Sequence, residues 1–333
     1  MTAIERALEA PKNLTADELV SMLASGDGGL WREIFAAARE VKAKCGKAET
    51  LPRGLIECSN VCAKDCLYCG IRRGNANVPR YRIPEEEVAA CIDEARRRGY
   101  PAVAFQAGEI ESEANTAYYE RLLAKSRGLE VTLSLGEQTE DVYRRWKEAG
   151  AMRYLIRIET SNRELYARIH PAECSFERRL GCIRTLKRLG YVTGSGVMIG
   201  LPGQTVEDLA RDIVFYGEEK LDMVGMGPYV PHPLAGLVGA GERQQAHDSK
   251  WRLRVALRMI ALTRLYLHGV NIVAATALEA LDREGGRNRG IEAGANVVMP
   301  VLTPEKYRGG YDLYPGKAEA GLEAGDARRG EVT

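Results

Sequence analysis

The sequence has no excess of either charge: 47 Lys and Arg stand against 46 Asp and Glu. That balance argues against a face built for nucleic acid or for an anionic membrane. No apolar run approaches the ~18 residues of a membrane-crossing helix. Met1 to Leu14 lacks the hydrophobic stretch of a secretory leader. A cytoplasmic protein is therefore expected, where thiols stay reduced, so the eight cysteines read as free, catalytic or metal-binding. Histidine is scarce, and His170, His232, His247 and His268 show no metal-ligand spacing. No GxGxxG follows the first candidate strand, which argues against a Rossmann dinucleotide site. Without coiled-coil heptads or a long apolar edge, a monomer is expected.

What is present is a rhythm. A length of 333 residues allows one large barrel or two modest domains. The first fifty residues read as helices. Thr15 is placed to cap one, with Glu18 three residues on, and a second spans about Trp31 to Lys44, ending near Gly46. From Leu51 onward short β-rich runs alternate with amphipathic ones. Eight strands are expected, near Leu55–Ser59, Ala102–Gln106, Glu130–Leu135, Arg153–Glu159, Thr193–Ile199, Asp222–Gly227, Asn271–Ala275 and Asn296–Met299. Thr205, with Asp208 three residues on, is a further expected N-cap, and a long helix is expected near Ser249–Leu267. Such alternation implies a parallel sheet with right-handed crossovers, and eight repeats suggest an α/β fold closed as a complete (βα)8 TIM-type barrel with an N-terminal helical extension. An open doubly wound sheet is the alternative. The expected divisions are an extension over 1–50, a barrel over 51–315 and a flexible tail over 316–333, poor in large apolar residues. The Pro/Gly-rich loop Pro228–Gly241 is expected to act as a lid.

Cys62, Cys66 and Cys69 form CxxxCxxC just after the first strand. Three thiolates can hold three irons of a 4Fe–4S cube and leave the fourth iron open, as chemistry requires. A structural zinc site with Cys58 as fourth ligand is the alternative. Cys45, Cys91, Cys174 and Cys182 read as packing residues, and no cysteine follows Cys182, so one cluster is expected.

With Tyr68 before its last cysteine, the loop resembles the signature of the radical S-adenosylmethionine (SAM) superfamily, CxxxCx-aromatic-C. The resemblance implies a 4Fe–4S cluster on Cys62, Cys66 and Cys69, SAM chelated at the open iron, and reductive cleavage to a 5′-deoxyadenosyl radical. Gln106-Ala107-Gly108-Glu109 is similar to the Gly-Gly-Glu element that holds the SAM amino group.

Strand parity supplies more. Val131, Leu133 and Leu135 share one face and Thr132 and Ser134 the other; Arg157 and Glu159 lie opposite Tyr154, Ile156 and Ile158. Helices cover a barrel's outside, so the polar sets should line the lumen. Arg157 with Glu159 is costly there unless paired or ligand-binding; an internal structural ion pair is the plain alternative. The two glycines and the proline of Gly196 to Pro202 suggest backbone close to a flat ligand such as adenine.

Stretches from Ser59-Asn60-Val61-Cys62 to Leu313-Tyr314-Pro315-Gly316-Lys317, among them Thr132 to Glu137, Trp146 to Ala151, Gly200 to Thr205, Asp222 to Pro228 and Gly294 to Pro300, resemble in collinear order the HydE maturases of FeFe-hydrogenase. That group is similar to biotin synthase and methylornithine synthase. The resemblance implies that Ser134, Glu159 and Arg179 contact SAM, with Glu109 near its amino group and Tyr68, Gly108 and Gly200 in the same site. Arg157, Thr132 and Thr276 would face the substrate. It further implies a small-molecule substrate, an iron unit bearing carbon monoxide, cyanide and cysteine. Other hydrogenase maturases and a ferredoxin- or flavodoxin-type electron donor would be its partners. The chain departs from the group at Ile158, Ala275 and Val301, which bears on the substrate. Alternatives are an amino-acid mutase like methylornithine synthase, a HydE-like enzyme for another thiol or amino acid, and a non-catalytic iron–sulfur carrier.

Overall fold

The computed structural model describes residues 1–237 and 248–317. Its centre is one sheet of eight strands: β1 (Leu51–Ser59), β2 (Ala102–Ala107), β3 (Glu130–Ser134), β4 (Arg153–Leu155), β5 (Val192–Ser195), β6 (Met223–Val224), β7 (Asn271–Ile272) and β8 (Val297–Val298). Every pairing is parallel and follows chain order, and β1 also pairs with β8. The bridge Val273↔Val297, with Asn296 N–H donating to Ile272 O at 2.9 Å, joins β7 to β8 and closes the barrel. The open-sheet alternative is thereby set aside.

The apolar faces point outward, as parity requires. Ile56, Val103, Phe105, Leu133, Tyr154 and Ile158 are buried under the helices. α4 (Glu85–Arg97), α5 (Glu113–Lys125) and α6 (Glu140–Glu148) cover this side. Trp146 meets Tyr119 edge-on at 5.8 Å, and Tyr143 meets Tyr154 at 5.0 Å, locking the helix layer to the wall. α7 (Arg163–Ile169), α8 (Phe176–Arg188), α9 (Val206–Glu218), α10 (Ser249–Leu267), α11 (Thr276–Leu281) and α12 (Gly286–Ala293) continue the ring, and α13 (Glu305–Arg308) follows β8. The expected caps are present: Thr15 with Glu18, and Thr205 with Asp208, each form a reciprocal capping box.

Three helices precede the barrel: α1 (Ala3–Glu9), α2 (Ala16–Ala24) and α3 (Gly28–Lys44). They pack on α9, α10 and α12. Lys12 Nζ donates to Gly217 O at 2.7 Å and Lys42 Nζ to Ile291 O at 3.1 Å, near the C-terminal ends of α9 and α12. These contacts lie toward the end of the barrel away from the cysteine loop.

Several expected boundaries change, the strands near 222–227 and 271–275 shortening to Met223–Val224 and Asn271–Ile272. β4 ends at Leu155 and β5 at Ser195, earlier than hydropathy suggested. Beyond them Glu159 takes φ +67°, and Met198–Ile199 pairs separately with Gly227–Pro228. The tail does not begin at Gly316, because Lys317 is buried against Glu57; the other tail residues lie outside the described residues. Of the lid loop Pro228–Gly241, residues 238–241 lie outside them too. Among the described residues no helix is long and apolar enough to cross a membrane.

Candidate active site at the barrel mouth

The chain leaves β1 at Asn60, whose buried amide fixes the exit. It accepts from Tyr81 N–H at 2.7 Å and donates to Pro79 O at 2.8 Å and Gly310 O at 2.6 Å. Arg80 holds the loop's other side through Asn60 O and Ile71 O, both at 2.7 Å. Cys62, Cys66 and Cys69 thus reach the rim of a cavity of about 300 Å³ enclosed by the barrel. Cys58 points the other way: it is fully buried in the core between sheet and helices, its thiol directed to Ile56 O at 3.5 Å. It cannot complete a four-thiolate zinc site with the other three. Among the described residues no three His, Cys, Asp or Glu side chains gather as a single-ion site requires.

The donor set fits a 4Fe–4S cube with one open iron. Burial pushes the Cys69 thiol up to about 12 and raises Cys62 as well. Cys66 is raised by its hydrogen bond to Cys174 and by burial. Buried thiols of this kind ionise only against a compensating positive charge, which iron supplies. Glu109 N–H donates to Cys62 Sγ at 3.3 Å, a contact suited to a ligating sulfur. Cys174 was expected to be a packing residue; it is buried but also hydrogen-bonds Cys66.

Next to the cysteines stands a buried charge network. A Cβ on Gly108 would meet Val61 O at 2.3 Å, so only glycine lets the end of β2 pass the cysteine loop. Gly136, at φ +75°, makes equal room for the Glu109 carboxylate. Lys64 Nζ sits 3.1 Å from Glu109 Oε1 and 3.7 Å from Glu137 Oε2. Arg179 Nε donates to Glu137 Oε1 at 2.6 Å, and its Nη2 lies 3.9 Å from Glu109 Oε2. Burial raises the Glu109 carboxyl above the usual carboxylate range, and Arg179 and Lys64 draw it back. Lys64 and Glu137 carried no signal as single residues, because spacing does not show that three separate loops converge.

Tyr68 lines the cavity and its hydroxyl meets His170 Nε2 at 3.2 Å, while His170 Nδ1 faces Tyr166 O at 2.9 Å. Burial lowers His170 to about 3, so it is neutral, with Nδ1 protonated and Nε2 accepting from Tyr68. His232 pairs with Asp312 at 3.0 Å and His268 faces Ala7 O at 2.7 Å; His247 lies outside the described residues.

Deeper in, Thr132, Ser134, Arg157 and Glu159 line the wall together. Arg157 Nη2 lies 2.8 Å from Glu159 Oε2, yet Arg157 Nε and Nη2, Glu159 Oε2 and the Thr132 hydroxyl make no well-directed hydrogen bond. Burial raises the Glu159 carboxyl, and Arg157 opposes the shift. Unsatisfied buried donors and acceptors beside a cavity fit a polar ligand. Thr276 also lines it, its hydroxyl 2.6 Å from Tyr314 OH.

Gly200 does not line the cavity. At φ +85° it donates to Gln204 Oε1 at 2.7 Å and packs against Arg252. It shapes a turn, and Met198 and Tyr229 stand at the wall instead. Of the departures, Ile158 is fully buried facing outward, Ala275 lines the cavity, and Val301 packs with Leu55, Ala104 and Met299 in an apolar patch of the lumen.

The family model of the Radical SAM superfamily matches residues 56–215. The chain is 43% identical over 312 residues to the [FeFe] hydrogenase maturase subunit HydE of Thermotoga maritima, covering 92% of this chain and 85% of that one. It is 24% identical over 298 residues to 3-methylornithine synthase of Methanosarcina acetivorans, covering 87% and 80%. A solved structure of methylornithine synthase superposes with a TM-score of 0.78 at 22% identity, covering 90% of this chain and 85% of that one, which shows the shared fold.

Proposed function

Because this chain belongs to the radical SAM superfamily, in its HydE-like group, we propose that it is a maturase of FeFe-hydrogenase whose substrate is a small iron unit carrying carbon monoxide, cyanide and cysteine. The observation that carries the reading is Arg157, a guanidinium on the cavity wall with Nε and Nη2 left without well-directed partners. Its planar fork suits the carboxylate of a bound cysteine.

When bound, one 4Fe–4S cluster with SAM on its open iron supplies a 5′-deoxyadenosyl radical. Cys62, Cys66 and Cys69 would hold the cluster. Glu109 would take the ammonium of SAM in place of the Lys64 ammonium that it now faces. Ser134, Glu159 and Arg179 would complete the SAM contacts, and Tyr68 would close that end of the wall. Arg157 would anchor the cysteine carboxylate, with Thr132 and Thr276 as further polar contacts. Leu55, Ala104, Val273 and Met299 would keep water from the reacting atoms. A ferredoxin- or flavodoxin-type protein would supply electrons, other hydrogenase maturases would deliver substrate and take product, and the enzyme would work as a cytoplasmic monomer.

The test is anaerobic reconstitution with iron and sulfide, reduction, addition of SAM, and assay of 5′-deoxyadenosine with and without a synthetic cysteine-bearing iron carbonyl cyanide complex. Deoxyadenosine, or its adduct to cysteine, that rises with the complex supports the reading. Cleavage that ignores the complex but turns over lysine would point instead to an amino-acid mutase.

A further inference from the structure

The segment after β8 folds back over the barrel mouth as a strap. Gly70 N–H donates to Leu313 O at 3.0 Å, Asp312 meets His232 at 3.0 Å, and Tyr314 meets Thr276 at 2.6 Å. The described strap ends at Lys317, whose side chain enters the cavity wall and pairs with Glu57 on the inward face of β1. The other oxygen of Glu57 is held by Thr303 Oγ1 at 3.2 Å.

A fastener alone would not need this pair. Burying two full charges costs several kcal/mol per ion, and an apolar pair of similar volume would hold the strap at least as well. The ammonium carries three donors, and Glu57 is its one hydrogen-bonding partner among the described residues. Of the other lining cations, Lys64 and Arg179 are engaged with Glu109 and Glu137 near the cysteines, and Arg157 lies beside Glu159 beyond β4 with its Nε and Nη2 lacking well-directed partners. The cavity wall also carries the apolar or uncharged Val273, Ala274, Ala275, Met299 and Tyr311, with the Tyr311 ring 5.9 Å from the Lys317 ammonium, while the charge of Arg287 opposes that of Lys317. Arg157 and Lys317 both line the cavity. Burial works against the Lys317 charge, but Glu57 outweighs it and raises the ammonium above its usual pKa, keeping it charged.

We infer that Lys317 is a specificity-determining residue, a second cationic pole that donates to an anionic ligand of the substrate other than the carboxylate held by Arg157. Resting on the maturase reading, that ligand is an iron-bound cyanide, whose terminal nitrogen is a compact anionic acceptor that a point-charge ammonium suits. No bond is made or broken in this contact; its effect is on binding and orientation. Such a pole selects against a substrate that offers only an amino-acid end.

The experiment uses reconstituted holoenzyme with SAM and the synthetic cysteine-bearing iron carbonyl cyanide complex. Wild type, K317M, K317R and E57Q are compared by KM, by kcat, and by the infrared cyanide stretch of the bound complex. The expected result is that K317M raises KM by about 10- to 100-fold, the range of a hydrogen bond to a charged group. It should also lose the shift of the cyanide band seen on binding to wild type. K317R should restore part of both. E57Q, which frees the ammonium, should keep the band shift, whereas a mere fastener role would make E57Q and K317M equally impaired and so overturns the assignment. So does K317M binding the complex with wild-type KM and wild-type band position. Should K317M fail to hold the cluster, E57Q and K317R still decide through the band. If wild type shows no bound cyanide band, the maturase reading falls and this assignment falls with it, an outcome distinct from loss of the Lys317 role alone.

Discussion

Arg179 Nη1 donates to the carbonyl of Arg157 at 2.7 Å while Arg179 Nε holds Glu137 at 2.6 Å. One guanidinium on α8 therefore ties the backbone of the proposed substrate anchor to the charge network beside the cysteines. The two ends of the cavity are mechanically one unit at this point. R179M should weaken both SAM binding and turnover of the iron complex, each by about 10-fold or more, because a hydrogen bond from a buried charged group is worth about 1.5–3 kcal/mol. SAM affinity by equilibrium dialysis, with single-turnover assays, checks this. A variant that lost only one of the two would separate the ends.

R157A should behave differently. Removing a carboxylate anchor should cut turnover by about 100-fold, or about 3 kcal/mol, while SAM affinity stays within about threefold of wild type. Equal loss of both would remove Arg157 from the substrate side.

The cysteines should separate by direction. C69S should lower bound iron and abolish SAM cleavage. C58A should keep full iron content and the reduced-cluster electron paramagnetic resonance signal, because Cys58 faces the helices. Its cost should be about 1 kcal/mol of stability from the lost sulfur volume, read from denaturant unfolding. Loss of iron in C58A would revive a four-cysteine site.

Asp212 provides a pH test. Its Oδ1 accepts from Ser161 N–H at 2.7 Å and Ser161 Oγ–H at 2.6 Å, and burial raises it to about 7. The folded state then holds a proton that the unfolded chain releases above its ordinary pKa near 3.8. Stability from this group is present at low pH and is lost as pH rises toward 7, by up to about 4 kcal/mol. D212N should flatten that slope and be at least as stable as wild type at pH 8, measured by thermal unfolding across pH. A slope unchanged in D212N would place the titration elsewhere.

The N-terminal helices should bear on stability alone. Trp31 is buried, its Nε1 donates to Ser25 O at 3.1 Å, and Arg258 of α10 stacks over its ring at 4.2 Å. W31A should cost about 3–5 kcal/mol and leave iron content and the KM for the complex unchanged in the fraction that stays folded. A shift in KM would give the extension a role in the site.

Much of this was legible because it is written in short-range pattern. Periodicity set eight strands in order, and parity placed Thr132, Ser134, Arg157 and Glu159 inside and Ile158 outside. Capping chemistry marked Thr15 and Thr205. Pattern failed where backbone geometry or distant chain intervenes. Gly200 looked like a ligand-facing glycine, but its left-handed turn folds onto Gln204 and Arg252. The ends of β4 and β5 looked continuous with the strands, but the regular ladder stops at Leu155 and Ser195, and beyond it the two segments pair through the Glu159–Val197 bridge, where Glu159 takes positive φ. Lys317 sat in a stretch poor in large apolar residues and read as the start of a tail.

The sequence by itself determined the chemistry: three cysteines at fixed spacing on one loop, and the alternation that builds a closed barrel around them. Both are local, since spacing fixes which thiols share a loop and period fixes which side chains share a face. Only the tertiary structure decided what stands opposite what. Glu109 meets Lys64 and Arg179, Arg157 is held from α8, and Lys317 returns from the far end of the chain to Glu57, 260 residues away. Such contacts depend on how the crossovers and the strap close over the mouth. That is set by the packing of the whole barrel, and no short window of sequence contains it.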